Sequence, residues 1–214
     1  TLHNADFIEQ LDLHYDDIVS VEKGGEIIPK ITSVDLNQRN DGSQKVTFIT
    51  HCPECGTQLV NIEGETAWYC PNTLGCPPQI KGRIEHFISR KAMNIESLGE
   101  GKVEVLFDNN LIKDYSDLYN LKYNDIFGLE KIIVVDDGKE NIVRKVSFKE
   151  KTANNIIDAI EKSKNIPFAR VLFALGIKYV GETTAKLIAK AMGSIDNIIN
   201  ASVEELTEIE EVGE

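Results

Sequence analysis

All four cysteines of this 214-residue chain, Cys52, Cys55, Cys70 and Cys76, fall within a stretch of 25 residues. Their spacing is Cys-x2-Cys, fourteen residues, then Cys-x5-Cys. Two short knuckles joined by a ribbon-length segment are what a tetrahedral four-thiolate zinc site requires, each knuckle supplying two ligands from a tight turn. Cys52-Pro53-Glu54-Cys55-Gly56 places Pro and Gly where such a turn bends. Between the knuckles, residues 58–62 and 66–69 alternate like strands around Glu63-Gly64-Glu65, which predicts a hairpin. Two disulfides, or four unconnected buried thiols, are the other readings. Disulfides need an oxidising compartment, and no signal-peptide pattern opens the sequence, so zinc is the expectation. Four thiolates fill the shell, which makes such a site structural rather than catalytic.

Hydrophobic content of 42% and charge of 27% describe an ordinary globular protein. The length allows one large domain or roughly two to three small ones. No apolar run approaches the ~18–20 residues of a membrane span. A net charge of -12 argues against nucleic acid as a partner, but the charge is unevenly placed. Residues 1–51 hold nine acids against four bases, and residues 52–92 hold four of each. Residues 149–190 reverse the balance with eight Lys/Arg against four acids, while 191–214 carry seven acids and no base. Basic islands of this kind can hold phosphate locally.

Residues 1–50 read as strands after one helical lead-in. Residues 17–22 alternate, Lys23-Gly24-Gly25 turns, 26–31 continue, and Asp41-Gly42 turns before a third strand at 45–49. Three strands are too few for an independent barrel, so the chain is expected to enter a β-domain part-way through. From Pro77 the period becomes helical, with Ile80, Ile84 and Phe87 on one apolar stripe. Arg83, His86 and Arg90 are expected on a neighbouring face, near Lys81 and Lys91, either as a nucleic-acid contact or as a solvated helix face.

Short helices interrupted by glycines follow, and the interruptions recur. Ser97-Leu98-Gly99-Glu100-Gly101-Lys102 and Gly176-Ile177-Lys178-Tyr179-Val180-Gly181 each pair an apolar residue with glycine before a helix, and Ile209-Glu210-Glu211-Val212-Gly213-Glu214 looks like the same hairpin cut short. A helix, a glycine-bearing turn and a second helix form a helix-hairpin-helix motif. Glycine lets the turn reach positive φ and lets backbone approach a phosphate, while the amides of the next helix point at the anion. An array of such turns spans successive phosphates without reading bases. Helical connectors with C-cap glycines would look similar.

The order of β-segment, four-cysteine ribbon, basic helix and hairpin array resembles the C-terminal half of bacterial NAD-dependent DNA ligase. The resemblance covers nearly the whole chain. It rests on Thr1-Leu2-His3-Asn4, on Gly25-Glu26-Ile27-Ile28-Pro29, on the cysteine spacing, on Ile84-Glu85-His86-Phe87-Ile88-Ser89-Arg90-Lys91-Ala92-Met93-Asn94-Ile95, and on the segment from Ala174 to Gly181. It implies a multidomain α+β chain: the C-terminal part of an OB-type barrel over 1–50, a zinc finger over 51–78, and a mainly helical domain over 79–214 whose last motif is cut short. It also implies an enzyme that seals nicks in duplex DNA. A lysine is adenylylated from NAD, AMP passes to the 5′-phosphate, and the 3′-hydroxyl attacks, with magnesium assisting. No Lys-x-Asp-Gly nucleophile motif occurs here. The adenylation domain is therefore expected upstream in the same polypeptide and a BRCT domain downstream, with no catalytic residue in this segment, which alone would be inactive. The expected place is the cytoplasm.

The expected contribution is a grip on nicked duplex DNA by Gly99, Gly101, Lys102, Gly176, Gly181 and Gly213, with Arg83 and Arg90 adding charge. His3 and Asn4 match a family motif and serve either a loop hydrogen bond or DNA. A non-enzymatic zinc-ribbon and helix-hairpin-helix module, or a zinc-stabilised interaction scaffold, would share these features. One departure stands out. The family's second hairpin should follow Leu129-Glu130, yet the pattern resumes only at Phe148-Lys149-Glu150-Lys151-Thr152-Ala153, and both its glycines are missing. The intervening β-branched runs flank Asp136-Asp137-Gly138-Lys139-Glu140-Asn141 and predict an inserted β-hairpin over 131–146. That motif should grip phosphate weakly through backbone, with Arg144, Lys145, Lys149 and Lys151 either substituting side-chain charge or blunting a solvated edge.

Overall fold

The computed structural model describes residues 2–23, 28–136 and 141–212. The expected turn at Gly24 and Gly25, the motif residues Glu26 and Ile27, the tip of the 131–146 hairpin and Gly213 lie outside the described residues. The chain divides into two compact units, Thr1–Cys76 and Pro77–Glu214.

The first unit opens with α1 (Ala5–Gln10). It starts there because the Asn4 side chain accepts the Phe7 amide at 2.9 Å, an N-cap that satisfies one of the helix's free donors. That settles a local role for Asn4, while His3 lies edge-on to the Phe7 ring at 5.2 Å. Strands β1 (Val19–Glu22) and β2 (Lys30–Val34) pair antiparallel with an irregularity at Ser20/Val21. β2 begins after Pro29 rather than running through 26–31, because proline has no N–H to give a ladder. The expected third strand at 45–49 does not form. Lys45 makes only an isolated bridge with His14, and Val46 donates to Leu13 O at 2.8 Å. Its partner is the turn after α1 rather than a strand, so no ladder can propagate. Among the described residues each sheet has two strands and no barrel closes.

Among the described residues ahead of the ribbon, only Ile8 and Leu13 are buried hydrophobics. A charge network occupies the rest. The Arg39 guanidinium grips Asp17 through Nε at 2.9 Å and Nη2 at 3.0 Å, and reaches Asp12 through Nη1 at 3.0 Å. Lys45 Nζ meets the other Asp12 oxygen at 2.8 Å. The Asp17 carboxylate is only 2% exposed, so the bidentate fork compensates a group that water cannot reach. In the ribbon, β3 (Val60–Asn61) and β4 (Trp68–Tyr69) pair antiparallel, shorter than the alternation implied, and Gly64 turns between them at φ 85°.

The second unit runs α2 (Pro77–Ile88), α3 (Glu100–Asp108), a 3-10 segment (Tyr115–Asn120), α4 (Tyr123–Ile126), β5 (Glu130–Asp136), β6 (Asn141–Ser147), α5 (Glu150–Ser163), α6 (Phe168–Ala174), α7 (Glu182–Met192), α8 (Ile195–Asn200) and α9 (Val203–Thr207). The expected stripe Ile80, Ile84 and Phe87 is buried against Val103 and Leu106 of α3, Ile156 and Ile160 of α5, and Phe148. A smaller cluster gathers Leu172, Ala185 and Ile188, with Val180, Ile209 and Val212 packed on it.

The inserted hairpin is present, in unbroken register from Glu130↔Ser147 to Asp136↔Asn141. Lys131 fastens its base to α3, pairing with Asp108 and with Glu104 at 3.4 Å. Lys145 pairs with Glu130 across the hairpin at 2.9 Å. Of the four bases expected to offer charge, Lys145 is therefore engaged internally, Lys149 and Lys151 are exposed, and the Arg144 side chain lies outside the described residues.

Candidate metal centre and nucleic-acid interface

Backbone turns bring the four sulfurs together. In the first knuckle Gly56, at φ 70°, donates to Cys52 O at 2.9 Å while Cys52 N donates to Thr57 O at 2.8 Å. In the second, Asn72 accepts the Cys76 amide through its carbonyl at 3.0 Å and the Gly75 amide through Oδ1 at 2.9 Å. All four Sγ atoms lie within 4.8 Å of one another, with Cys55 and Cys70 at 3.5 Å and Cys52 and Cys76 at 3.9 Å. A disulfide needs about 2.05 Å. Four sulfurs set tetrahedrally around zinc at about 2.3 Å stand about 3.8 Å apart. The donor set therefore fits zinc, and the cysteines are unbridged.

The thiols would not ionise together without a cation. The Thr57 hydroxyl, 3.2 Å from Cys55 Sγ, favours its thiolate and draws that group down to about 6. Burial pushes Cys70 up to about 12. A zinc ion would supply the charge that deprotonates all four. Neither nearby histidine is needed as a ligand. His51 Nδ1 is 2.9 Å from the Thr50 hydroxyl, and His86 bonds within the helical unit.

The repeated glycine turns share a backbone conformation that differs from the expected one. Positive φ falls at Ser97 (64°), Tyr179 (67°) and Glu211 (64°), two residues before Gly99, Gly181 and Gly213. Gly99 and Gly181 are themselves extended, at φ -117° and -77°, and N-cap α3 and α7 without any side-chain hydrogen bond. A Cβ added at either would meet nothing within 4 Å. Neither backbone strain nor internal packing requires glycine there; both positions simply leave open space at the start of a helix. Gly176 is different. At φ 66° it follows α6 as a helix-ending glycine, so its role in this fold is structural. Gly101 lies in the first turn of α3.

The remaining expected residues divide. Lys102 Nζ donates to Ser97 O at 2.5 Å, holding the turn from inside, and burial lowers its pKa. Arg83 lies half-buried on α2, but Arg90 falls beyond the helix end at Ile88, so the expected shared face does not exist. His86 leaves it too, turning into the contact with α6. Gly99, Lys102 and Arg90 border one cleft of about 900 Å³, which Glu85, Glu96 and Glu100 also line. Burial, then the charge of Glu100, raises the Glu85 pKa.

Three segments match described families. Residues 1–43 match the NAD-dependent DNA ligase OB-fold domain, 51–77 the NAD-dependent DNA ligase C4 zinc finger domain, and 170–214 the helix-hairpin-helix motif. The first two are domains of NAD-dependent DNA ligase. The whole chain is 54% identical to proteins named DNA ligase from Phocaeicola vulgatus and Bacteroides fragilis, and 52% identical to one from Flavobacterium psychrophilum. In each case it spans 30% of the relative's length. As their spacing implied, the four cysteines form a zinc-finger site.

Sequence reasoning missed Arg170, whose guanidinium reaches the carbonyls of Arg90 and Lys91. Nothing local could have singled it out, since its acceptors lie about eighty residues away. The positive φ at Ser97 and Tyr179 had a usable signal: an apolar residue and glycine follow it each time.

Proposed function

We propose that this chain is the DNA-holding portion of an NAD-dependent DNA ligase, comprising an OB-type segment (1–50), a zinc finger (51–78) and a helix-hairpin-helix domain (79–214). It holds nicked duplex by its phosphates in the cytoplasm. An adenylation domain of the same polypeptide performs the chemistry with NAD and magnesium. The segment supplies no catalytic residue and is inactive alone; its contribution is to hold the broken strand ends where the reaction can reach them.

The observation that carries this reading is the pair of glycines that the fold itself does not need. Gly99 and Gly181 each stand at the start of a helix, extended, uncapped and facing open space. The first amides of a helix have no partner within it and carry the positive end of its dipole. A phosphate approaching either turn meets those amides without a side chain in between. On this reading Gly101 keeps the first turn of α3 open, Lys102 and Arg90 border the same cleft, and Gly213 contributes as the glycine of the third sequence repeat. Arg83 adds charge, and Gly176 shapes the second turn. Glu182, at the start of α7, is neutralised by Lys186 at 2.7 Å and Lys91 at 3.4 Å, which hold its pKa low.

Gly181→Leu tests the reading cleanly, because φ and space at that position accept a side chain. Binding of the zinc-loaded protein to nicked duplexes of different base sequence is measured across a salt series. The variant is expected to stay folded at the assay temperature, losing about 1 kcal/mol at most through a poorer N-cap, to bind every duplex more weakly by the same factor, and to show a log–log salt slope shallower by about 0.9 per phosphate lost. Unchanged affinity, or a loss confined to particular base sequences, would sink the phosphate grip.

A further inference from the structure

The helix that leads into the first glycine turn and the helix that leads into the second are bonded to each other at their C-terminal ends. His86, in the last turn of α2, donates through Nε2 to Phe173 O at 2.8 Å, near the end of α6. Its ring lies edge-on to Phe173 at 4.8 Å and against the turn at Gly176, where an added Cβ would sit 3.5 Å from Cδ2. The return bond comes from α6. Arg170 donates through Nη2 to Arg90 O at 2.5 Å and through Nε to Lys91 O at 3.2 Å, both just past the end of α2. Lys91 then reaches Glu182, the first residue of α7, at 3.4 Å.

We propose that His86 and Arg170 form a reciprocal clasp that sets the spacing of the turns at 97–99 and 179–181, so that both engage one duplex together. This rests on the phosphate-gripping reading above and adds two positioning residues to it. Phe173 O, near the end of α6, and the carbonyls of Arg90 and Lys91, in the turn after α2, each accept a side chain from the other segment. The guanidinium fork has a fixed shape, so two bonds to successive carbonyls define an orientation that apolar contact between α2 and α6 does not. The clasp also sits at the root of both turns. Arg90 and Lys91 begin the segment leading to Ser97, and Phe173 begins the segment leading to Tyr179. Two grips held at the right separation act as one multivalent site, and this gain disappears when the separation is wrong.

The test uses Arg170→Met, which removes both bonds from a half-buried side chain, with His86→Leu and His86→Gln, the last keeping an N–H donor. Binding of each zinc-loaded protein to nicked duplex is measured across a salt series, at temperatures well below its Tm. Arg170→Met and His86→Leu are expected to weaken binding roughly tenfold or more. Their salt slope should fall by about 0.9 for each phosphate no longer held, and His86→Gln should recover most of both losses. Arg170→Met carries the test alone should His86→Leu fail to fold. A lower Tm with unchanged affinity and slope would mean that the bonds only stabilise the fold, and would overturn the clasp. Gly181→Leu separates the two ideas: if it weakens binding and Arg170→Met does not, the clasp fails and the grip stands. If Gly181→Leu has no effect, the grip fails and takes the clasp with it.

Discussion

Among the described residues, Thr1–Cys76 buries four hydrophobic side chains, two of them cysteines, whereas Pro77–Glu214 buries twenty-three. The helical unit is held by ordinary apolar packing. The first unit is too small and too polar for that, and relies on directed interactions instead: thiolates converging on one point, and the Arg39 fork between two aspartates. Domains with little core need such staples. The difference implies that the two units should fail under different insults, the first through metal loss or acid and the second through cavities.

The largest effect should come from breaking the metal site. Cys70→Ser is expected to abolish the binding of one zinc per chain and to unfold the ribbon, with helical circular dichroism retained. Elemental analysis and hydrogen exchange of residues 51–77 measure this, and a ribbon that stays protected without zinc would erase the contrast. In the helical unit, Leu106→Ala at a fully buried site of α3 should cost about 2–5 kcal/mol in denaturant unfolding. Zinc content should be unchanged. A cost as small as a surface substitution would show that this unit does not depend on its core.

Acid should act most strongly on the first unit, although the ion pairs of Glu182 make the second unit sensitive too. The hydrogen bond from Lys45, then that from Arg39, holds the Asp12 carboxyl at about 2, and Arg39 holds Asp17 below the ordinary range. An unfolded aspartate titrates near about 3.9. Because the folded value is depressed, the network's contribution is complete above about pH 4 and is lost as pH falls through about 2. Carboxyl chemical shifts should place the Asp12 midpoint near about 2 and move it upward in Lys45→Met. An unmoved midpoint would remove Lys45 from the network. The smallest effect is local: Asn4→Ala should cost about 1 kcal/mol through loss of the α1 cap. It should appear as faster amide exchange at Phe7, and unchanged exchange there would deny the cap.

Much of this was legible before any coordinates. The cysteine spacing specified a metal site because ligand count and knuckle length are local properties. The 80, 84, 87 stripe specified a buried helix face, and β-branched runs around Asp137-Gly138 specified a hairpin, because side-chain period and turn chemistry are written in consecutive residues. Where the reading went wrong, a neighbour in space prevailed over a neighbour in sequence. Residues 45–49 alternate like a strand but make only an isolated bridge, at His14, in place of a ladder. His86 and Arg90 fit a helical face by arithmetic, yet the helix ends at Ile88 and His86 is drawn to a carbonyl 87 residues away.

The sequence by itself determined the ribbon, the helical unit and the recurrence of the glycine turns, since each is encoded over a few residues. Tertiary structure alone decided that Gly99 and Gly181 face open space, and that Arg170 and His86 tie two distant segments together. A hydrogen bond between residues far apart in the chain leaves no period, spacing or composition to read; it exists only once packing has brought its donor within about 3 Å of its acceptor.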